Sequence, residues 1–110
     1  MEKKVAARLG EKLKSLRKEK GLTLEKLAEL SGLSKSYIWE LENRESQRPS
    51  AEKLNALGKV LGVDSVFFIE DDIRAPEQRH LDAAFYRDYQ DLEVEDKERL
   101  RKIMETFKKS

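Results

Sequence analysis

The chain has 110 residues, 41% of them charged and 38% hydrophobic, which suits one ordinary domain or a small domain with an appendage. It has no cysteine, so a disulfide framework and thiolate metal sites are excluded. No apolar run approaches the ~20 residues that span a bilayer, and the basic start MEKK is not followed by an apolar signal region, so the cytoplasm is the expected location. The formal net charge of +1 hides a split: residues 1–62 hold 14 Lys/Arg and 9 Asp/Glu (net +5), and residues 63–110 hold 9 and 13 (net −4). A basic front part attracts phosphates, and an acidic rear part is repelled by them.

The first helix is expected from about Val5 to Lys18, where Val5, Leu9, Leu13 and Leu16 form one apolar stripe. Lys12, Lys14, Arg17, Lys18 and Lys20 fill its second half, where cations suit the negative end of the helix dipole. Gly21 suits a left-handed stop, and Thr23 can cap a second helix with Glu25 in its first turn. That helix ends near Ser31, and Gly32 permits a backbone reversal that a side chain would hinder. Ser34 can then cap a third helix from about Lys35 to Glu42. Leu27, Ala28, Leu33, Ile38 and Leu41 are the inward candidates of this pair, which leaves Lys35, Ser36, Tyr37, Trp39 and Glu40 facing outward. A short helix with a polar and aromatic outer face, braced by a second helix, fits a DNA major groove.

The turn-rich segment NRESQRPS follows, and Ser50 can cap a fourth helix with Leu54, Leu57 and Leu61 on one side, closed by Gly62. VDSVFFI reads as a further helical turn whose Val63, Val66, Phe67, Phe68 and Ile69 close the bottom of a five-helix core. Composition then changes: EDDIRAPEQ, residues 70–78, is acidic and aperiodic and reads as a linker. Two more helices are expected, from about Gln78 to Gln90 with Leu81, Ala84, Phe85 and Tyr89 inward, and from about Glu95 to Lys108 with Leu100, Ile103, Met104 and Phe107 on one side. A hairpin of this size falls below the roughly 40 residues at which domains fold unaided. Its stripes must pack on the front domain or on a second copy, and a detaching linker favours the second copy.

These residues resemble the helix-turn-helix of the Xre class, the Cro and C1 repressor-like regulators of phages and bacteria. The pattern is carried by LRKEKGLTLEKLAELSGLSKSYIWELEN followed by RPSAEKLNALGKVLGV, over about residues 8–69. The Ala28, Gly32, Ile38, Leu41 spacing matches the family's buried small residue, turn glycine and two recognition-helix anchors. Two positions depart from it. Leu24 stands where the family commonly has a phosphate-binding Gln, and Asn43 stands where it often has Gly, although Asn tolerates a left-handed turn. The tail, DAAFYRDYQDLEVEDKERLRKIMETF, is similar to the helical extensions through which short Xre-class regulators dimerise. It is also similar to the tails of regulators paired with a metallopeptidase.

The resemblance implies an all-α protein with a lambda-repressor-like five-helix DNA-binding domain over residues 1–69, a linker over 70–78 and a helical hairpin over 79–110 that serves as dimerisation element. It also implies a double-stranded DNA partner and a site on the third helix and the loop after it. Lys35 can donate to guanine O6 or N7, and Ser36 can meet a base or a phosphate. Tyr37 either packs structurally or offers its hydroxyl to a phosphate. Trp39, about 100° round the helix from Ile38, either presses on a thymine methyl or sugar edge or half-buries against the following loop. Glu40 can accept from cytosine N4 or pair with a nearby lysine. Asn43, Arg44 and Arg48 are phosphate candidates, and Ser50 adds the N–H groups of a helix end. Arg17 and Glu42 match the family's structural acid–Arg pair. His80, the only histidine, has no partner for a metal site, and no nucleophile or phosphate-loop motif is present, so neither cofactor nor catalysis is expected. The reading is a bacterial or phage-encoded cytoplasmic repressor, nucleoid-associated when bound, working as a homodimer on a palindromic operator. The alternative is an antitoxin or regulator whose C-terminal helices bind a toxin or peptidase.

Overall fold

The structure, a computed structural model, describes residues 8–44 and 48–109, and every ordered element among them is helical. The helices are α1 (Leu9–Glu19), α2 (Leu24–Ser31), α3 (Lys35–Asn43), α4 (Ala51–Leu61), α5 (Val66–Ile69), α6 (Gln78–Gln90) and α7 (Val94–Lys109). Local chemistry sets the boundaries. Thr23, Ser34 and Ser50 each turn a side-chain oxygen to the backbone N–H three residues on, at 3.0, 3.0 and 3.3 Å, opening α2, α3 and α4. Gly32, at φ +78°, ends α2 in the left-handed conformation and makes the turn into α3. The expected start of the first helix at Val5 lies outside the described residues.

The apolar stripes meet in one core: Leu13 and Leu16 of α1, Leu27 of α2, Ile38 and Leu41 of α3, Leu54, Leu57 and Leu61 of α4, then Val63, Phe67 and Phe68. Each such side chain, fully buried, contributes roughly 1.5–3 kcal/mol relative to exposure. Val66 and Ile69, expected to join this cluster, stay exposed instead. The single turn of α5 has room to turn only Phe67 and Phe68 inward.

Two polar side chains are buried beside the core. Lys12, read as a cation suited to the end of the helix dipole, is buried, and its Nζ donates to the carbonyl of Phe67 at 2.7 Å and to that of Glu70. The ammonium thereby caps the C-terminal end of α5 and lies 4.8 Å from the Phe67 ring centroid. Burial pushes its pKa down, opposed by the charges of Glu70 and Asp71. His80 is the second: its ring sits edge-on to Phe67 at 5.3 Å. Its Nδ1 accepts from the Glu77 N–H at 2.8 Å, so the proton sits on Nε2, which donates to Glu70 at 2.7 Å.

His80 decides how the tail is attached. The hairpin, expected to be detached by residues 70–78, is instead held to the front domain through α6. Glu70 takes both Arg79 and His80, the Asp64 N–H donates to the His80 carbonyl at 3.2 Å, and Arg87 donates to the Val63 carbonyl at 3.0 Å. The face of α6 that packs is therefore His80 and Ala84, while Leu81 and Phe85, expected inward, point outward, Phe85 being 56% exposed. Helix α7 meets α6 through Tyr89, which accepts from Arg101 at 3.0 Å and lies under Lys97. Ile103 and Met104 stay exposed. The radius of gyration is 16.4 Å, against roughly 13 Å for a compact chain of this length, consistent with a projecting tail.

Gly10 explains how closely α1 meets α3. A Cβ built there would lie 2.6 Å from the Glu42 carbonyl oxygen and 2.7 Å from that of Leu41. Gly10→Ala gains about 1 kcal/mol of helix propensity but forces backbone apart, an overpacking cost of about 1–3 kcal/mol. The expected result is a lower urea midpoint for Gly10→Ala. A raised midpoint would show that the two helices separate freely.

Candidate nucleic-acid interface

The turn at Gly32 sets α3 across α2, and burial of Leu27, Ile38 and Leu41 fixes which side of α3 faces out. Lys35 and Ser36 open the helix and are exposed, beside N–H groups that carry the positive end of the helix dipole. The Lys35 ammonium is held by the Glu25 carboxylate of α2 at 2.7 Å. Sequence reasoning placed Glu25 only as a favourable first-turn acid; a second role shows only once the turn folds α2 back on α3.

Trp39 is 45% exposed on this face. The Arg44 guanidinium lies 5.7 Å from its ring centroid, and the Asn43 amide donates to its carbonyl at 2.8 Å. Trp39 thus keeps an open ring, with the Arg44 guanidinium of the following loop near one face. Asn43 does not adopt the left-handed turn foreseen for it. It ends α3 in helical conformation, Arg44 turns extended, and Asp72 is the sole non-glycine residue at positive φ among the described residues.

Tyr37 is half-buried against the core, and Lys53 of α4 stands 4.5 Å over its ring. Burial pushes the phenol pKa up, so the hydroxyl stays neutral and able to donate. Since Lys53 lies in the first turn of α4, this contact sets the Ser50-capped N-terminus of α4 beside the first turn of α3. Lys53 is a member of this face that sequence reasoning did not single out. Glu40 is half-buried, Arg44 and Arg48 are exposed, and residues 45–47 between the two arginines lie outside the described residues. Leu24, in place of the family's Gln, packs against the core.

Behind the face, Arg17 meets Glu42 in a fork, Nε to Oε2 at 2.6 Å and Nη2 to Oε1 at 3.0 Å, and gives Nη1 to the Leu22 carbonyl at 2.8 Å. The hydrogen bond to Glu42 raises the Arg17 pKa above its ordinary value. The ends of α1 and α3 are clamped together behind the outward face. Exposed cations, open N–H groups at two helix ends and an aromatic ring thus share one side of the molecule. That combination suits a polyanion carrying flat apolar edges. Among the described residues no cluster of His, Cys, Asp or Glu could hold a metal ion, and no helix is long and apolar enough to cross a membrane.

A family model described as a helix-turn-helix domain matches residues 8–66. The chain is 40% identical over 55 residues to the HTH-type transcriptional regulator SinR of Bacillus subtilis, half of each chain. It is 42% identical over 52 residues to the trifunctional NAD biosynthesis/regulator protein NadR of Escherichia coli, covering 47% of this chain and 13% of that one. It thus spans half or less of the curated relatives it matches. The structure of SinR, a master regulator for biofilm formation, in complex with DNA matches with a TM-score of 0.54 at 35% identity, covering 56% of this chain and 98% of that one. A SinR–SinI complex matches with a TM-score of 0.53 at 28% identity, covering 87% of this chain and 78% of that one. Such coverage cannot come from the first 78 residues alone, so the likeness reaches into the C-terminal helices.

Proposed function

The chain belongs to the helix-turn-helix domain family, in its Xre class, and from that premise we propose that it is a sequence-specific double-stranded-DNA-binding regulator of transcription, a repressor working as a homodimer. The observation that carries the proposal is the outward face of α3, clamped from behind by Arg17 and Glu42 and bordered by the capped end of α4. Phosphates are taken by Arg44, Arg48, Asn43, the α4 N-terminus behind Ser50 and the hydroxyl of Tyr37. Bases are read by Lys35, Ser36, Trp39 and Glu40. Residues 1–69 bind DNA, and residues 79–110 bring two copies together, with residues 70–78 between them. Two α3 helices then enter successive major grooves, about 34 Å apart. Binding to cytoplasmic, nucleoid DNA needs no cofactor and no catalytic step.

Selection of bound duplexes from a random pool tests the proposal. It should return a two-fold symmetric site with half-sites one helical turn apart, and recovery of no preferred sequence sinks it. On that site, Arg48→Ala should weaken all sequence variants alike and flatten the salt dependence by about one phosphate. Lys35→Ala should instead change which base pairs matter, at about 1–3 kcal/mol for the affected position. A uniform loss in both variants would refute this division of roles.

A second reading is favoured by the likeness to the SinR–SinI complex, which extends past the DNA-binding domain. In it, the exposed apolar side of α6 and α7 takes a different protein rather than a second copy. Co-purification of a stoichiometric partner with the full chain would favour it.

A further inference from the structure

We infer that Glu25 sets the specificity of the proposed DNA contact by holding Lys35 in a charge-neutral pair that donates to base edges and gains nothing from phosphates. This rests on the DNA-binding reading above and deepens it. The pair spans two helices: Glu25 lies in the first turn of α2, Lys35 opens α3, and 2.7 Å separates Oε2 from Nζ. Both side chains are more than half exposed, so neither is held there by burial. Lys35 is thus not an open cation at the mouth of the site, although its place in the helix-turn-helix suggests one.

The chemistry follows from donor counting. An ammonium has three N–H donors, of which Glu25 takes one, leaving two for the O6 and N7 acceptors of a guanine in the major groove. Guanine edges are neutral, so Lys35 can donate to them without giving up Glu25. A phosphate is different. It competes with the carboxylate for the same ammonium, and its approach brings two anions together. Capture of a phosphate by Lys35 therefore exchanges one anionic partner for another and leaves Glu25 repelled. The hydrogen bond from Lys35 holds the Glu25 carboxyl below its ordinary pKa, which favours its charged, pairing form. Non-specific affinity, which is almost wholly phosphate attraction, is lowered, while base reading is kept. Glu25 acts through Lys35 and is a positioning residue.

The test uses the full chain with the duplex selected from the random pool and a scrambled duplex, each titrated between about 50 and 200 mM salt. Glu25→Gln keeps the size and hydrogen-bonding capacity of the side chain and removes its charge. It should tighten binding to the scrambled duplex about 3–10-fold, steepen the salt slope by about 0.9, and tighten the selected duplex less, so the specificity ratio falls. Glu29→Gln removes a charge from the same helix at a residue that pairs with Lys26, and it should leave the ratio unchanged. In a Lys35→Ala background, Glu25→Gln should also leave the ratio unchanged. If Glu25→Gln and Glu29→Gln act alike, or if the effect survives without Lys35, Glu25 contributes only general charge and the inference is wrong. Failure of the unaltered chain to prefer any duplex would remove the DNA-binding reading itself, a different outcome from an unchanged ratio.

Discussion

Arg17→Met is expected to cost about 3–5 kcal/mol of folding stability, because it strands a carboxylate that is almost out of water. The Glu42 side chain is 2% exposed and the Arg17 side chain 10%, so the pair is a buried one, costly to break, and not an exposed one, worth little. Methionine keeps the aliphatic volume, so the loss reports the missing charge and its hydrogen bonds rather than a cavity. A domain of this size holds about 5–15 kcal/mol in all, so the variant should be close to unfolding at modest urea. The double variant Arg17→Met with Glu42→Leu should recover most of the loss, since well-packed apolar pairs replace buried ion pairs at little or no cost. If the single variant lost less than about 1 kcal/mol, the fork would be a surface pair of ordinary strength. The consequence for function is direct: Glu42 lies in the last turn of the outward helix, and Gly10 of α1 passes within a missing Cβ of the Glu42 carbonyl.

The caps at Thr23, Ser34 and Ser50, the glycine turn and the Leu-rich stripes were legible because each is a local rule with one outcome. The acid–Arg pair came through family resemblance alone, since residues 25 apart in sequence share no local pattern. What stayed hidden depends on partners supplied from elsewhere in the fold. Lys12 lies on the inner stripe of α1, three residues after Leu9 and one before Leu13, yet its type reads as surface until the open carbonyls of α5 meet it. His80 and Ala84 stand four apart and could have been read as a buried face. The neighbouring Leu81 and Phe85 made the more apolar choice, and the structure turns them outward. The outward face of α3 was legible as a surface, but the Glu25–Lys35 and Tyr37–Lys53 contacts cross between helices, and no spacing rule reaches them.

That inversion of α6 shapes the last prediction. Deleting residues 79–110 would remove His80 and Ala84 from the core as well as any dimer contact, so a loss of DNA binding in that truncation would have two causes. The outward residues separate them. Phe85→Gln with Ile103→Gln leaves His80, Ala84 and Arg87 in place and adds no charge that would itself repel DNA. If α6 and α7 join two copies, this variant should sediment as a monomer at micromolar concentration. Its affinity for the two-half-site duplex should fall by about 10²–10⁴-fold, the avidity normally gained when a second site is tethered. Its affinity for a single half-site should stay the same, because both residues are exposed on the single copy and lie outside its core. A variant that remained dimeric would move the interface elsewhere, with the exposed Val66 and Ile69 beside α5 as the next apolar surface. The opposite split, an unaltered chain that is monomeric alone yet loses a co-purifying protein on Phe85→Gln with Ile103→Gln, would assign the same face to a different partner. In both of the outcomes that depend on Phe85 and Ile103, the contact would fall on side chains that α6 and α7 leave exposed once His80 and Ala84 have been committed to the helix-turn-helix domain.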